Sequence, residues 1–190
     1  GCPNWTFTVS PAPAGDTFAT AQVISTLPFS ATGLTVQSAQ CFTNANALQG
    51  NERFFQLTTS ECTTSLTIQL CETTGNGDTY LRLYAANQTT VVATDDDTEP
   101  AGCAETLSSS LTNVAVTPNT LYYISVESYS TTYDEINVMD LNVTANCFCS
   151  SPSASMSGVD QDCNAGTFTL DVNVSSTGST PSVNIVYTVN

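Results

Sequence analysis

The sequence predicts an all-β protein, an antiparallel β-sandwich of jelly-roll kind with a small, incomplete β-unit beside it. Three observations carry this reading. Apolar and polar residues alternate with a period of two in several separate segments, which places one face on a core and the other in water. Clusters of Gly, Asn and Pro such as TTGNGD (73–78), AANQTT (85–90) and TPNT (117–120) punctuate those segments with turn chemistry. Ser and Thr make up more than a quarter of the chain and Val, Ile, Thr and aromatic residues dominate its apolar runs, whereas long helical periodicity is absent.

Taken in order, the first nine residues, GCPNWTFTV, alternate Pro3, Trp5, Phe7 and Val9 against Asn4, Thr6 and Thr8, and a proline-broken linker follows at residues 10–16. GDTFATAQVI (15–24) is the one helical candidate, a single turn through Ala21 with Asp16 as its N-cap. In SLTIQL (65–70) Leu66, Ile68 and Leu70 share a face opposite Thr67 and Gln69. TYLRLYA (79–85) sends Leu81 and Leu83 inward and Arg82 outward, and LYYISVES (121–128) aligns Tyr122, Ile124 and Val126. In INVMDLNVT (136–144) the phase slips between Val138 and Met139, as at a β-bulge or in a strand buried on both faces.

CFCSSPSASMSG (147–158) has the Ser-rich, Pro-containing composition of a linker. Beyond it, TFTLDVNV (167–174) and SVNIVYTVN (182–190) alternate again, with STGSTP turning between them. Two or three strands do not close a core. The expected organisation is therefore residues 1–14 as strand and linker, 15–146 as the sandwich, and 147–190 as a β-unit completed by residues 1–9 or by a neighbouring subunit.

Charge and composition exclude most chemistry. The formal charge is −15, with Arg53 and Arg82 the only basic side chains and no His. Nucleic acid is excluded as a partner, since phosphate binding draws on Lys and Arg. Without His or Lys there is no Ser–His or Cys–His dyad, imidazole zinc site, Schiff base or phosphate-cradling lysine. No apolar run reaches the roughly 18–20 residues of a membrane span, and the N-terminus lacks signal-peptide character, as expected of a mature form or a fragment. The eight cysteines (Cys2, Cys41, Cys62, Cys71, Cys103, Cys147, Cys149, Cys163) lack the paired knuckles of structural zinc and fit disulfides in an oxidising, extracellular or cell-surface setting. The sequons at Asn4, Asn87, Asn142 and Asn173 agree with export.

GDTFATAQVI, NERFFQLTT (51–59), SLTIQLC, GDTYLRLYAANQTTVVATDDD (77–97) and TPNTLYYISVESYS (117–130) occur in an order that resembles the bacterial pre-peptidase C-terminal domain, over residues 15 to about 145. Asp78, Leu81, Leu83, Tyr84, Asp95 to Asp97, Tyr122, Tyr123 and Val126 stand at the positions of that family's acidic hairpin and tyrosine strand. The tail, DCNAGTFTLDVNVSSTGS, is similar to strand pairs in adhesin-like surface proteins of Bacteroidota-type bacteria. The resemblance implies a non-catalytic accessory or structural module, joined to a secreted peptidase or repeated in surface proteins.

TDDDTEP (94–100) concentrates four carboxylates in a chain with two cations. Three readings stand: a catalytic carboxylate pair, a calcium site on Asp78, Asp95, Asp97 and Glu99, or a solvated acidic turn closed by its own Asx hydrogen bonds. Adjacent Asp residues on an extended strand point in alternate directions, which disfavours the first. Among the cysteines, Cys71 ends the strand before TTGNGD and Cys103 follows the acidic loop, so a bridge would tie two loops at one edge; Cys41 with Cys62 would close the ERFFQL region. Cys2, Cys147, Cys149 and Cys163 then remain near the terminal strands, with Cys2 joined to Cys147 or Cys149 and another bond closing the loop to Cys163.

Two functions follow from these features. The first is an extracellular structural module, a filament or adhesin subunit that polymerises with copies of itself through its terminal strands. The second is a carbohydrate- or matrix-binding accessory module of a secreted hydrolase, with Tyr80, Tyr84, Tyr129 and Tyr133 as outward aromatics.

Overall fold

The computed structural model describes residues 11–37, 41–44, 50–74, 78–103, 106–129, 135–148, 153–162, 164–165, 167–178, 184 and 186. The expectations for residues 1–10, and those for Cys149, Cys163 and Tyr133, fall outside these residues. Among the described residues, eleven strands follow a 3-10 turn at Phe18–Thr20. They are β1 (Gln22–Ile24), β2 (Phe29–Gln37), β3 (Glu52–Thr58), β4 (Thr63–Thr74), β5 (Thr79–Ala85), β6 (Val91–Asp95), β7 (Ser110–Ala115), β8 (Leu121–Ser128), β9 (Glu135–Cys147), β10 (Ser153–Asp162) and β11 (Thr167–Ser176).

The fold is all-β, as expected. A five-stranded sheet in the order β1-β3-β8-β5-β6 faces a four-stranded sheet in the order β2-β9-β4-β7. Pairing is antiparallel throughout except that β1 runs parallel to β3. The period-two rows meet between the sheets. Leu66, Ile68 and Leu70 of β4 with Met139, Leu141 and Val143 of β9 pack in one cluster with Phe55, Leu81, Leu83, Ile124 and Val126 of the opposite sheet. Every one of these side chains is buried.

The phase slip in β9 is a register shift. Leu34 faces Met139 and Val36 faces Ile136, so β9 carries an additional residue between those pairs. That residue lets Met139, Leu141 and Val143 all face the core.

The outer face of the five-stranded sheet has its own small apolar cluster. Adjacent Phe54 and Phe55 cannot share a face, and both are buried. Phe54 packs outward with Ala21, Tyr84 and Tyr123, and Phe18 of the 3-10 turn covers them, its ring centred 4.3 Å from Phe54, 5.3 Å from Tyr84 and 5.2 Å from Tyr123. Asp16 is not the N-cap. Thr17 holds that place, its N–H donating to Thr20 Oγ1 at 3.0 Å. The buried Asp16 carboxylate instead accepts from the N–H and hydroxyl of Thr43 at 2.6 and 3.0 Å, tying the turn to the segment before β3. Gly15 has φ +91 and lies so close to β3 that a Cβ would stand 3.0 Å from the Phe54 carbonyl oxygen, while its own carbonyl accepts from Phe54 N–H at 2.7 Å.

The stretch read as a linker differs most from expectation. From Ser153 onward it is strand β10, paired antiparallel with β11. Serine is compatible with extended backbone, and Ala154 and Met156 supply an alternation too sparse to stand out. β10 and β11 form a two-stranded sheet of their own, and among the described residues neither pairs with a strand of the sandwich. Nor is any helix among the described residues long and apolar enough to cross a membrane.

Candidate functional site

The acidic residues gather where β5 starts and β6 ends. Leu81 pairs with Asp95 across these strands, which brings the residues after β6 alongside those before β5. Carboxylate oxygens of Asp78, Asp96 and Asp97 lie within 4.8 Å of one another. Asp78 Oδ1 and Asp96 Oδ1 are shielded from solvent without a hydrogen-bond donor. Burial first, then the charges of Asp97 and Asp96, push Asp78 up to about 6. Asp96 is raised by burial and by Asp97 and Asp95.

Of the four expected ligands, Asp78 and Asp97 belong to this group, and Asp95 and Glu99 do not. Asp95 Oδ2 accepts from the N–H of Thr98 at 3.1 Å and of Ser110 at 2.7 Å, so it closes the turn and links β6 to the start of β7. Glu99 is exposed and contributes a backbone N–H to Asp97 O at 3.0 Å. Asp96 takes the third place. An Asx-type closure at Asp95 and a cluster of carboxylates at Asp78, Asp96 and Asp97 thus stand on different members of one loop.

Buried hydroxyls hold this loop to the sandwich. Ser109 Oγ donates to Thr79 O at 2.7 Å and lies 2.5 Å from Asp96 O, and Ser109 N–H donates to Thr79 Oγ1 at 2.9 Å. The run Ser108–Ser110 is buried although its sequence reads as an exposed polar loop. Its only sequence signal is three hydroxyls one loop downstream of the acids. The Cys71–Cys103 disulfide closes the same edge, with Cα atoms 5.4 Å apart.

Beside the acids, Tyr80 and Tyr129 stack with ring centres 6.4 Å apart, and the Arg82 guanidinium sits 4.2 Å from the Tyr80 ring centre. Tyr129 is exposed. Tyr84, expected outward, lies beneath Phe18 and is buried; burial and the Glu127 carboxylate push its hydroxyl up to about 12. Arg82 forms an ion pair with the fully buried Glu127, which also accepts from Ser125 Oγ at 2.8 Å. Burial alone would lower the Arg82 pKa; its hydrogen bond and charge pairing with Glu127 outweigh that and hold it above its ordinary value.

The Cys41–Cys62 bridge expected from the sequence is not formed; both thiols, with that of Cys147, are free. Cys41 precedes β3, next to the Thr43 segment held by Asp16, whereas Cys62 follows β3. The length of that strand, about 20 Å, separates them. Of the sequons, Asn87 lies exposed in the β5–β6 turn, its Oδ1 accepting from Thr89 and Thr90 N–H. Asn173 is exposed on β11, and Asn142 is half-buried mid-strand between Ser30 and Gln69. At the far end of the sandwich a cleft of about 410 Å³ is walled by Ile24, Leu27, Pro28, Leu57 and Ala145, with Ser60, Thr63 and Cys147 as its polar edge.

No protein-family profile and no curated protein matches the chain. Among solved structures, the chain is similar to the pre-peptidase C-terminal domain of collagenase from Bacillus anthracis, at 14% identity and a TM-score of 0.46, over 72% of this chain and 100% of that one. It is also similar to CsCBM6-3 from Clostridium stercorarium in complex with cellobiose, at 11% identity and a TM-score of 0.31, over 53% of this chain and 70% of that one.

Proposed function

We propose that the chain is a non-catalytic extracellular structural module, a subunit or repeat of a cell-surface filament or adhesin that associates with its own copies through the terminal strands. The β10–β11 sheet is the observation that carries this reading. Ala154 faces Val174 and Met156 faces Val172 across the pair. Met156 is 74% exposed, and Leu170, Val172 and Val174 are only half-buried. A two-stranded ribbon with an apolar row, and with edges that no other described strand pairs, gains stability from a further strand, which supplies backbone partners and covers the row together. The native chain then forms concentration-dependent oligomers or fibres by light scattering and negative-stain microscopy. Val172→Lys leaves it monomeric with the melting of the sandwich unchanged. A native chain that stays monodisperse at every concentration overturns the reading.

In this module Asp78, Asp96 and Asp97 hold Ca2+, which suits a hard cation's preference for carboxylate oxygen and offsets the burial and the mutual repulsion that together raise Asp78. Calcium added to chelator-treated protein gives binding heat and a higher melting temperature; absence of both sinks the assignment. A second reading, a carbohydrate- or matrix-binding accessory module, is favoured by the exposed Tyr129 stacked on Tyr80 beside the acids. Monomers retained on a polysaccharide column, with retention lost in Tyr129→Ala, would select it over assembly.

A further inference from the structure

We infer that Cys62 and Cys147 form a disulfide that joins the start of β4 to the end of β9. One hydroxyl brings the two sulfurs together: Ser60 Oγ lies 3.2 Å from Cys62 Sγ and 3.6 Å from Cys147 Sγ. Thr63 Oγ1 lies 2.8 Å from the same hydroxyl and 3.8 Å from Cys147 Sγ. The backbones are equally close. Thr63 and Cys147 are register partners, and Phe148 N–H donates to Cys62 O at 3.0 Å. This spacing puts the Cα atoms of Cys62 and Cys147 at about 6 Å, within the range a disulfide spans.

Neighbours offset by one position in a regular antiparallel pair point to opposite faces. Cys62 escapes that rule because it lies in the turn before β4, closed by Thr63 N–H donating to Ser60 O at 3.2 Å. Its side chain is free to swing toward the face that carries Thr63 and Cys147. Cys147 is exposed and Cys62 half-buried, so an oxidant reaches them. The thiolate of one attacks an external disulfide such as oxidised glutathione and releases one glutathione thiol; the other thiolate then displaces the second. Two protein thiols thereby lose two protons and two electrons, and the external disulfide becomes two thiols.

The bond would sit at the end of β4 opposite Cys71–Cys103, where the chain leaves the sandwich toward β10. Tension applied through the C-terminal strands would then load β4 as well as β9, rather than peel β9 from the sheet's end.

The full chain, refolded in a glutathione redox buffer, alkylated and digested with pepsin at low pH to suppress exchange, tests the inference. A Cys62 peptide joined to a Cys147 peptide is the expected product. Cys62 joined to Cys41 or Cys149, or alkylated while Cys71–Cys103 is closed, overturns it. Cys62→Ser, Cys147→Ser and the double variant are expected to lower the melting temperature by the same amount, roughly 5–15 °C. Additive losses in the double variant would show that the two thiols are not partners.

Discussion

Strands β4 and β11 carry the same pattern and meet different fates. Leu66, Ile68 and Leu70 alternate with polar residues in β4 just as Leu170, Val172 and Val174 do in β11. The first three are fully buried and the second three remain half-exposed. Fully burying such a side chain is worth about 1.5–3 kcal/mol. β4 collects this because β9 and β7 flank it and a second sheet lies across its apolar face. β11 has only β10. Period-two alternation thus specifies which face a strand presents, while the stabilisation depends on what covers that face.

Truncation measures the contrast directly. Leu83→Ala, on β5 between β8 and β6, is expected to cost about 3–4 kcal/mol in urea unfolding, the transfer term together with the cavity left in a closed core. Val172→Ala in a dilute monomer should cost under about 0.5 kcal/mol, because water already reaches the side chain. A loss above 2 kcal/mol at Val172 in the monomer would mean that the hairpin is covered within its own chain, and the comparison would fail.

Between these extremes lies Asp78, a place where the sandwich buries a group it does not satisfy. Its folded-state pKa, about 6, lies above the ordinary 3.8. The folded chain therefore retains a proton that the unfolded chain has lost between those values. The associated stability is complete below about pH 4 and disappears as pH rises through about 6. Asp78→Asn should remove this dependence and, without metal, stabilise the protein at pH 7 by about 1 kcal/mol once solvent screening is allowed for. Thermal melts from pH 4 to 7.5 check it; a variant with the native pH slope would place the titration elsewhere. The same variant should also lose the calcium-dependent rise in melting temperature.

Much of the sandwich was legible because its strands are locally encoded. β4, β5 and β8 lie on the expected alternations, and the slip at Val138–Met139 marks a true register shift. The Cys71–Cys103 bond was readable because both thiols flank loops that one hairpin brings together. What escaped depends on distant partners. Asp16 suits a helix cap by local rules, yet Thr43 offers its carboxylate two donors in a buried setting. Asp95 and Asp96 are adjacent and identical in sequence, and only the strand pairing turns one toward the Ser110 N–H and the other toward Asp78 and Asp97. Ser153–Asp162 is too sparsely apolar to announce a strand without β11 beside it.

By itself, the amino-acid sequence determined the all-β character, the inward face of most sandwich strands, the exclusion of His- and Lys-based chemistry and the crowding of acids at one hairpin. These follow from residue type and spacing over a few positions. Only the tertiary structure decided which carboxylates converge, which thiols are neighbours and which apolar rows are covered. Those outcomes depend on residues far apart in the chain, and the free energy of a buried charge or an apolar side chain is set by what the fold packs against it.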